Sequence, residues 1–223
     1  MRKMLRNVFE QKVWRGSDEG SRSGPGSTME ATRKLRDALP DVFQTYGVKT
    51  FLDAPCGDWN WMSEVDLSDV AYIGGVIAAP VVEDNTARHA RPGVSFVHLD
   101  ITSDPLPKAD MIMCRDCLFH LKHKFRWLFF ENFLASGIPH LLMTMHHLDR
   151  NRPLTTNGNY AAFSPMAEPF NFAAPLEMIH ETMDTLPADM SLEEKPLQYR
   201  SLGIWHRDEV ADAVACSDWK VTQ

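Results

Sequence analysis

Apolar residues fall in short runs at 49–53, 71–77, 94–99, 109–113 and 140–145, separated by helix-length segments or by shorter polar connections. Runs of this length alternating with such spacers predict buried parallel strands with helices between them, a doubly wound α/β sheet. About 17 residues lie between the first and second runs, enough for a crossover helix. The segment 124–135 predicts a helix before the fifth strand, and Ser201 to Val210 predicts a short strand followed by a helix beginning near Arg207. Near the N-terminus, a basic stretch predicts a docking helix, and 29–39 predicts a second helix. Between them, Gly16 to Thr28 has the Gly/Ser/Pro composition of a loop. Ser27 and Thr28 stand where a helix N-cap belongs, although a plain linker has the same composition. From Asn151 to Pro175 the pattern turns to Asn, Pro, Gly and aromatics, too irregular for a standard unit. That stretch reads either as a binding lid or as a packed surface loop whose aromatics form its own small core.

Length changes the picture little. At 223 residues the chain suits one domain, 1–223, with 1–40 as an N-terminal helical cap and gate and 149–175 as a substrate loop. A hydrophobic content of 44% and a charged content of 24% are those of a globular protein. The net charge of −7 argues against a nucleic-acid partner, since a polyanion demands a basic stripe. No apolar run approaches the roughly 20 residues of a membrane span, so no membrane partner is expected. The basic N-terminus lacks the apolar core of a secretory signal, and the four cysteines form no disulfide framework for a chain this long; the cytoplasm is the expected location. Cys114 and Cys117 form a CxxC without a second pair or a close His pair, so no metal site is expected.

Candidate chemistry gathers at the carboxyl ends of the strands, where a doubly wound sheet opens its ligand crevice. Asp53 and Gly57 follow the first run, Asp100 the third, and Cys114, Arg115 and Asp116 the fourth. Each acid alone could cap a helix, and Arg115 with Asp116 could be a solvated pair; together with a glycine turn they mark a ligand edge. His120 is a candidate general base, spaced i,i+4 from Asp116 so that a helix would bring both to one face. It could equally be a locally hydrogen-bonded polar residue. His146 and His147 end the fifth run, where alternation sends only one of them into a pocket. Asn159, Tyr160, Phe170 and Asn171, with Asn157 and Phe163, could wall an acceptor site, or fill a buried loop core.

The ordered set FLDAPCGDWNWM, AYIGG, FVHLDITSDPLP, ADMIMCRDCLFHL, PFNF and SLGIW resembles a family of class I S-adenosylmethionine-dependent methyltransferases. The resemblance implies a Rossmann-like sheet of about seven strands, mostly parallel with an antiparallel last strand. It implies S-adenosylmethionine as cofactor, with Asp53, Ala54, Cys56 and Gly57 against its methionine and ribose portions. By the same carry-over Asp100 and Ile101 flank the adenine, and Cys114 with Arg115 closes the site beside the sulfonium. Arg22, Ser27 and Thr28 match the family's N-terminal gate, where they would meet the cofactor carboxylate. The implied activity is transfer of a methyl group; the aromatic and amide loop and the acidic charge, rather than the resemblance, suggest a small-molecule or glycan acceptor, with oxygen the expected target atom. Asp116 and His120 are the expected catalytic pair, and His146, Asn159, Tyr160, Phe170 and Asn171 the expected acceptor contacts. One departure stands out: the family's second strand ends in an acid that binds the ribose hydroxyls, and this chain has Val76 there. That leaves weak cofactor binding, a hydrogen-bond acceptor supplied by another residue such as Asp58 or Glu83, or a changed ligand, and it motivates a repurposed binding protein as one alternative; an enzyme that consumes S-adenosylmethionine without a methyl acceptor is the other.

Overall fold

Side-chain alternation along each short strand decides what lies on either side of the sheet. Phe51, Met111, Met113, Leu142, Leu202 and Ile204 pack into one core, while Leu52, Ile112, Cys114, Leu141, Met143 and Met145 pack into the other. The computed structural model describes residues 23–181 and 200–219. Within them, strands β1 (Thr50–Asp53), β2 (Ala71–Val76), β3 (Val94–His98), β4 (Met111–Cys114), β5 (His140–His146), β6 (Glu177–His180) and β7 (Arg200–His206) form one sheet in the order β3-β2-β1-β4-β5-β7-β6. Pairings from β3 across to β5 are parallel, and β7 runs antiparallel to both β5 and β6. This is the seven-stranded, mostly parallel architecture expected from the sequence, with β6 the strand that the apolar pattern does not announce.

Helix α1 (Arg33–Thr45) joins the first core through Leu35, Leu39, Val42 and Phe43, at helical spacing. Helix α2 (Ala79–His89) connects β2 to β3. On the other face α3 (His123–Ser136) contributes Trp127, Phe129, Phe130 and Phe133, and α4 (Arg207–Ala215) contributes Val210 and Ala213. Helix α4 starts where expected because His206 and Glu209 form a reciprocal capping box: the Asp208 N–H donates to His206 Nδ1, and the His206 N–H to Glu209 Oε2. No helix among the described residues is long and apolar enough to cross a membrane.

The structure departs from the sequence expectations in two places, and in a third it bears on two readings left open. The connection from β1 to β2 holds no α-helix, only turns and a single 3-10 turn at Met62–Glu64. Gly57 at φ +57° and Trp59 at φ +56° occupy left-handed backbone that a right-handed helix excludes. Instead the Trp59 side chain is buried as a wedge against Tyr72 and Phe96, with ring centroids 5.8 and 5.7 Å away. The second correction concerns the first described helix, which starts at Arg33 rather than near Met29 and runs through Pro40 to Thr45. Thr28 is not its N-cap. Its Oγ1 accepts from the Ala31 N–H at 3.2 Å in the turn before the helix, and Ser27 belongs to the 3-10 turn Pro25–Ser27. The third concerns the long loop, which packs as a closed unit around a buried asparagine. Asn151 Nδ2 donates to the carbonyls of Ser164, Ala167 and Glu168 at 2.7, 3.0 and 3.0 Å, and its Oδ1 accepts from the Ser164 N–H. Phe163, Phe170 and Phe172 enter the second core, so the packed-loop alternative describes them. The expected N-terminal docking helix and Arg22 lie outside the described residues.

Candidate active site

The carboxyl ends of β1 to β4 open onto two hollows. The first, of about 410 Å³ with its open mouth included, lies between the turn after β1, Ser23 and Ser27 of the expected N-terminal gate, and Arg115 with Asp116 after β4. The second, of about 340 Å³, lies beside Gly75 and Ile77 at the end of β2 and Leu99 to Thr102 after β3. Pro55 borders both, so the two hollows lie side by side along one cleft edge. Gly57 forms its tight turn: a Cβ there would stand 2.4 Å from Ser23 Oγ, on backbone that L side chains rarely adopt. Ser23 in turn grips the same loop, donating to Asp58 Oδ1 and accepting from the Asp58 N–H, each at 3.0 Å. Gly57→Ala is therefore expected to cost roughly 1–3 kcal/mol, read as a fall of several degrees in thermal midpoint.

Asp53 ends β1 at 2% exposure and faces the first hollow. Burial pushes its carboxyl up to about 7, against the downward pull of a 2.7 Å hydrogen bond from the Tyr72 hydroxyl and of the Arg115 charge. A cation brought against such a carboxyl would draw it to the ionised form.

Behind Asp53 the gate is fastened by a ring of four charges. Arg115 Nε donates to Glu181 Oε1 at 2.8 Å, and its Nη1 lies 3.3 Å from Asp116 Oδ2. Arg200 reaches the same Asp116 oxygen at 3.0 Å and Glu181 Oε2 at 3.2 Å. Both arginines also donate to the Gly26 carbonyl, at 2.6 and 3.4 Å. A Cβ on Gly26 would stand 2.5 Å from Asp116 Oδ2, so only glycine lets the gate approach this closely. Burial would raise the Asp116 carboxyl, but Arg115 and Arg200 hold it below its ordinary value.

Beyond Asp116 lies an aromatic and imidazole cluster. Phe119 stands 5.4 Å from His146 and 5.1 Å from Tyr160, ring centre to ring centre. The Tyr160 hydroxyl meets His146 Nε2 at 2.9 Å, and His120 Nδ1 lies 2.9 Å from the Asn159 carbonyl. A carbonyl only accepts, so His120 carries its proton on Nδ1 and keeps the Nε2 lone pair. Burial pushes both His120 and His146 down to about 4. Depressed histidines contribute stability that is present above the ordinary value of 6.5 and is lost as pH falls through about 4. His146→Gln is expected to flatten the fall in thermal midpoint between pH 6.5 and 4, measured by melting across a pH series.

The structure brings Ser27, Asp53, Cys56, Gly57, Asp100, Ile101, Arg115 and Asp116 to the cleft wall. Ala54 and Cys114 lie beneath it, at 0% and 1% exposure in the second core, and Thr28 lies in the turn beyond the gate. Cys117, not Cys114, lines the second hollow, as Cys56 lines the first. Asp116 and His120 do not share a helical face: Asp116 has φ +51° and 118–120 is a single 3-10 turn. Phe170 is 1% exposed, with its ring 4.6 Å from Trp127 and 5.1 Å from Phe163, so it belongs to the core and not to an acceptor wall. Tyr160, by contrast, is 40% exposed, and its chain neighbour Asn159 and, further along the loop, Asn171 are exposed as well. Sequence reasoning misses Glu181 and Arg200, two of the four charges of the ring, which stand just after β6 and at the start of β7, where the apolar pattern says nothing. It also misses Ile77 and Thr144, whose hydroxyl accepts from the Asp116 N–H at 2.9 Å.

No family model and no curated protein matches the chain. Solved structures do. A S-adenosylmethionine-dependent methyltransferase from Leishmania major superposes with a TM-score of 0.63 at 12% identity, over 88% of this chain and 82% of that one. The N-methyltransferase NodS from Bradyrhizobium japonicum, in complex with S-adenosyl-L-homocysteine, gives 0.61 at 12% identity, over 90% and 96%. The 1,6-didemethyltoxoflavin-N1-methyltransferase of Burkholderia thailandensis, with its substrate and S-adenosylhomocysteine bound, gives 0.57 at 16% identity, over 92% and 86%. What is shared at these identities is the fold: the chain has the fold of class I S-adenosylmethionine-dependent methyltransferases.

Proposed function

We propose that the chain is a cytoplasmic S-adenosylmethionine-dependent methyltransferase that transfers a methyl group to a hydroxyl of a small-molecule or glycan acceptor. The observation that carries this reading is Asp53, a buried carboxyl at the strand end of this fold, facing a charged hollow that adjoins an apolar one at Pro55. The donor set fits the cofactor at both ends. Asp53 suits the ammonium of the methionine portion, with Ser27 and the gate above it, and the hollow between Leu99, Ile101 and Leu121 suits a purine, with Asp100 at its edge. When bound, S-adenosylmethionine supplies a methyl group already activated by its sulfonium.

The remaining tasks fall to side chains of this chain: to aim the acceptor along the line of displacement and to take its proton. Asp116 stands between the cleft and the imidazole cluster, held by Arg115, Arg200 and Thr144. His120, neutral with its Nε2 lone pair, and His146, in contact with Tyr160, are the proton acceptors at that edge; this supports an oxygen target, since a hydroxyl needs a base more than an amine does. Exposed Tyr160, Asn159 and Asn171 offer an aromatic face and amides to a sugar or small ring. The acidic charge and the free cysteines suit a small acceptor and a reducing compartment.

Because Asp53 must ionise to hold a cation, affinity for S-adenosylhomocysteine is expected to rise by about tenfold per pH unit up to about 7 and to level off above it, with proton release on binding. Calorimetry in buffers of different ionisation heat measures both. The activity itself is tested by following S-adenosylhomocysteine formation from S-adenosylmethionine, with and without a panel of phenols and sugars. Turnover that requires a hydroxyl acceptor supports the reading. Loss of S-adenosylmethionine with no acceptor and no S-adenosylhomocysteine formed favours a lyase-like enzyme, and absence of binding favours a repurposed scaffold.

A further inference from the structure

The hollow assigned to the nucleoside is walled by Gly75, Ile77, Leu99, Ile101 and Leu121. Its acidic side chain, Asp100, is occupied by its neighbour: the Thr102 hydroxyl and N–H both donate to Asp100 Oδ1, at 2.7 and 3.1 Å. In a doubly wound sheet the acid that takes ribose hydroxyls stands about 20 residues beyond the glycine turn, at the end of the second strand. Counted from Gly57, that place falls on Val76 and Ile77. Val76 closes β2 at 1% exposure with its side chain in the first core, so the residue that turns into the cleft is Ile77. The alternation is consistent, since Gly75, two positions earlier, also faces the cleft, and a Cβ there would meet Leu99 and Ala54. Neither the Val76 nor the Ile77 side chain can accept a hydrogen bond. Of the acids nearby in the chain, Asp58 is engaged by Ser23, and Glu83 lies exposed on α2.

We infer that the cleft holds its nucleoside by the base and by the amino-acid end, and presents an apolar wall to the sugar, so that the ribose 2′-hydroxyl is not read. The inference rests on the methyltransferase reading. It assigns Ile77 as the residue that sets sugar specificity, and as ligands the 5′-thioadenosine amino acids with or without a 2′-hydroxyl. A site built to hydrogen-bond a hydroxyl rejects the analogue that lacks it, whereas an apolar wall discriminates weakly.

The test is a calorimetric titration of the full chain, and of Ile77→Asp, with S-adenosylhomocysteine and with its 2′-deoxy analogue. For the parent the two dissociation constants are expected to agree within about threefold, and in Ile77→Asp the ribose form should bind at least about tenfold more tightly than the deoxy form. A parent that loses roughly tenfold or more with the deoxy analogue overturns the sugar inference and leaves the methyltransferase reading standing. A parent that binds neither ligand overturns that reading, and the inference with it. Should Ile77→Asp fail to fold, the ratio measured on the parent still decides.

Discussion

Asp53→Asn is expected to weaken S-adenosylhomocysteine binding by about a hundredfold at pH 8 while raising the thermal midpoint by several degrees. Asparagine keeps the shape and can still accept from the Tyr72 hydroxyl, but it offers no charge to an ammonium group. The gain in stability follows from the sign of the linkage. A folded-state carboxyl raised to about 7 from its ordinary 3.8 contributes stability that is present below the lower value and is lost as pH rises through the higher one. At pH 8 the parent holds a buried anion at a cost of roughly 4 kcal/mol at most, which the neutral amide avoids. Paired melting and calorimetry at pH 8 check both halves. Loss of affinity together with loss of stability would instead make Asp53 a structural residue.

Glu181→Gln carries the second large effect. The carboxylate sits with its side chain 1% exposed between Arg115 Nε and Arg200 Nε, and its neutral replacement leaves two guanidinium groups to share Asp116. Removing one member of a buried charged network typically costs about 3–5 kcal/mol, because the partner charge stays buried. Chemical denaturation should show a loss of that order. The double variant Glu181→Leu with Arg115→Met should lose less than the sum of its single changes, since it removes both charges together. The gate should respond as well. With the arginines no longer fixed, their hold on the Gly26 carbonyl loosens, and ligand dissociation should quicken.

The parallel half of the sheet was legible because buried parallel strands are continuous apolar runs, and 71–77, 94–99 and 140–145 match β2, β3 and β5 to within a residue. β6, with the sequence EMIH, has the exposed and half-buried pattern of a sheet edge and leaves no such trace. Helix α3 was legible at 124–135 against an observed His123–Ser136. The helix supposed to follow Gly57 was not there, because left-handed backbone at Gly57 and Trp59 and the burial of the Trp59 ring override a spacing that length alone would permit. The candidate site divides in the same way. Strand-end acids and the glycine turn follow from topology, so Asp53, Gly57, Asp100 and Arg115 could be found by position. The charge ring could not, because it joins residues as far apart as Gly26 and Arg200, which meet only in the folded chain. The loop aromatics were ambiguous for a physical reason: Phe and Tyr serve a core and a ligand wall equally well, and burial alone separates Phe170 from Tyr160.

The most direct test of the account is heteronuclear NMR of the labelled protein titrated with S-adenosylhomocysteine. Amide shifts are expected to cluster at 53–57, 75–77, 99–102 and 114–117, the four strand ends that border the cleft. Saturable shifts elsewhere on the molecule, or none at millimolar ligand, would contradict it.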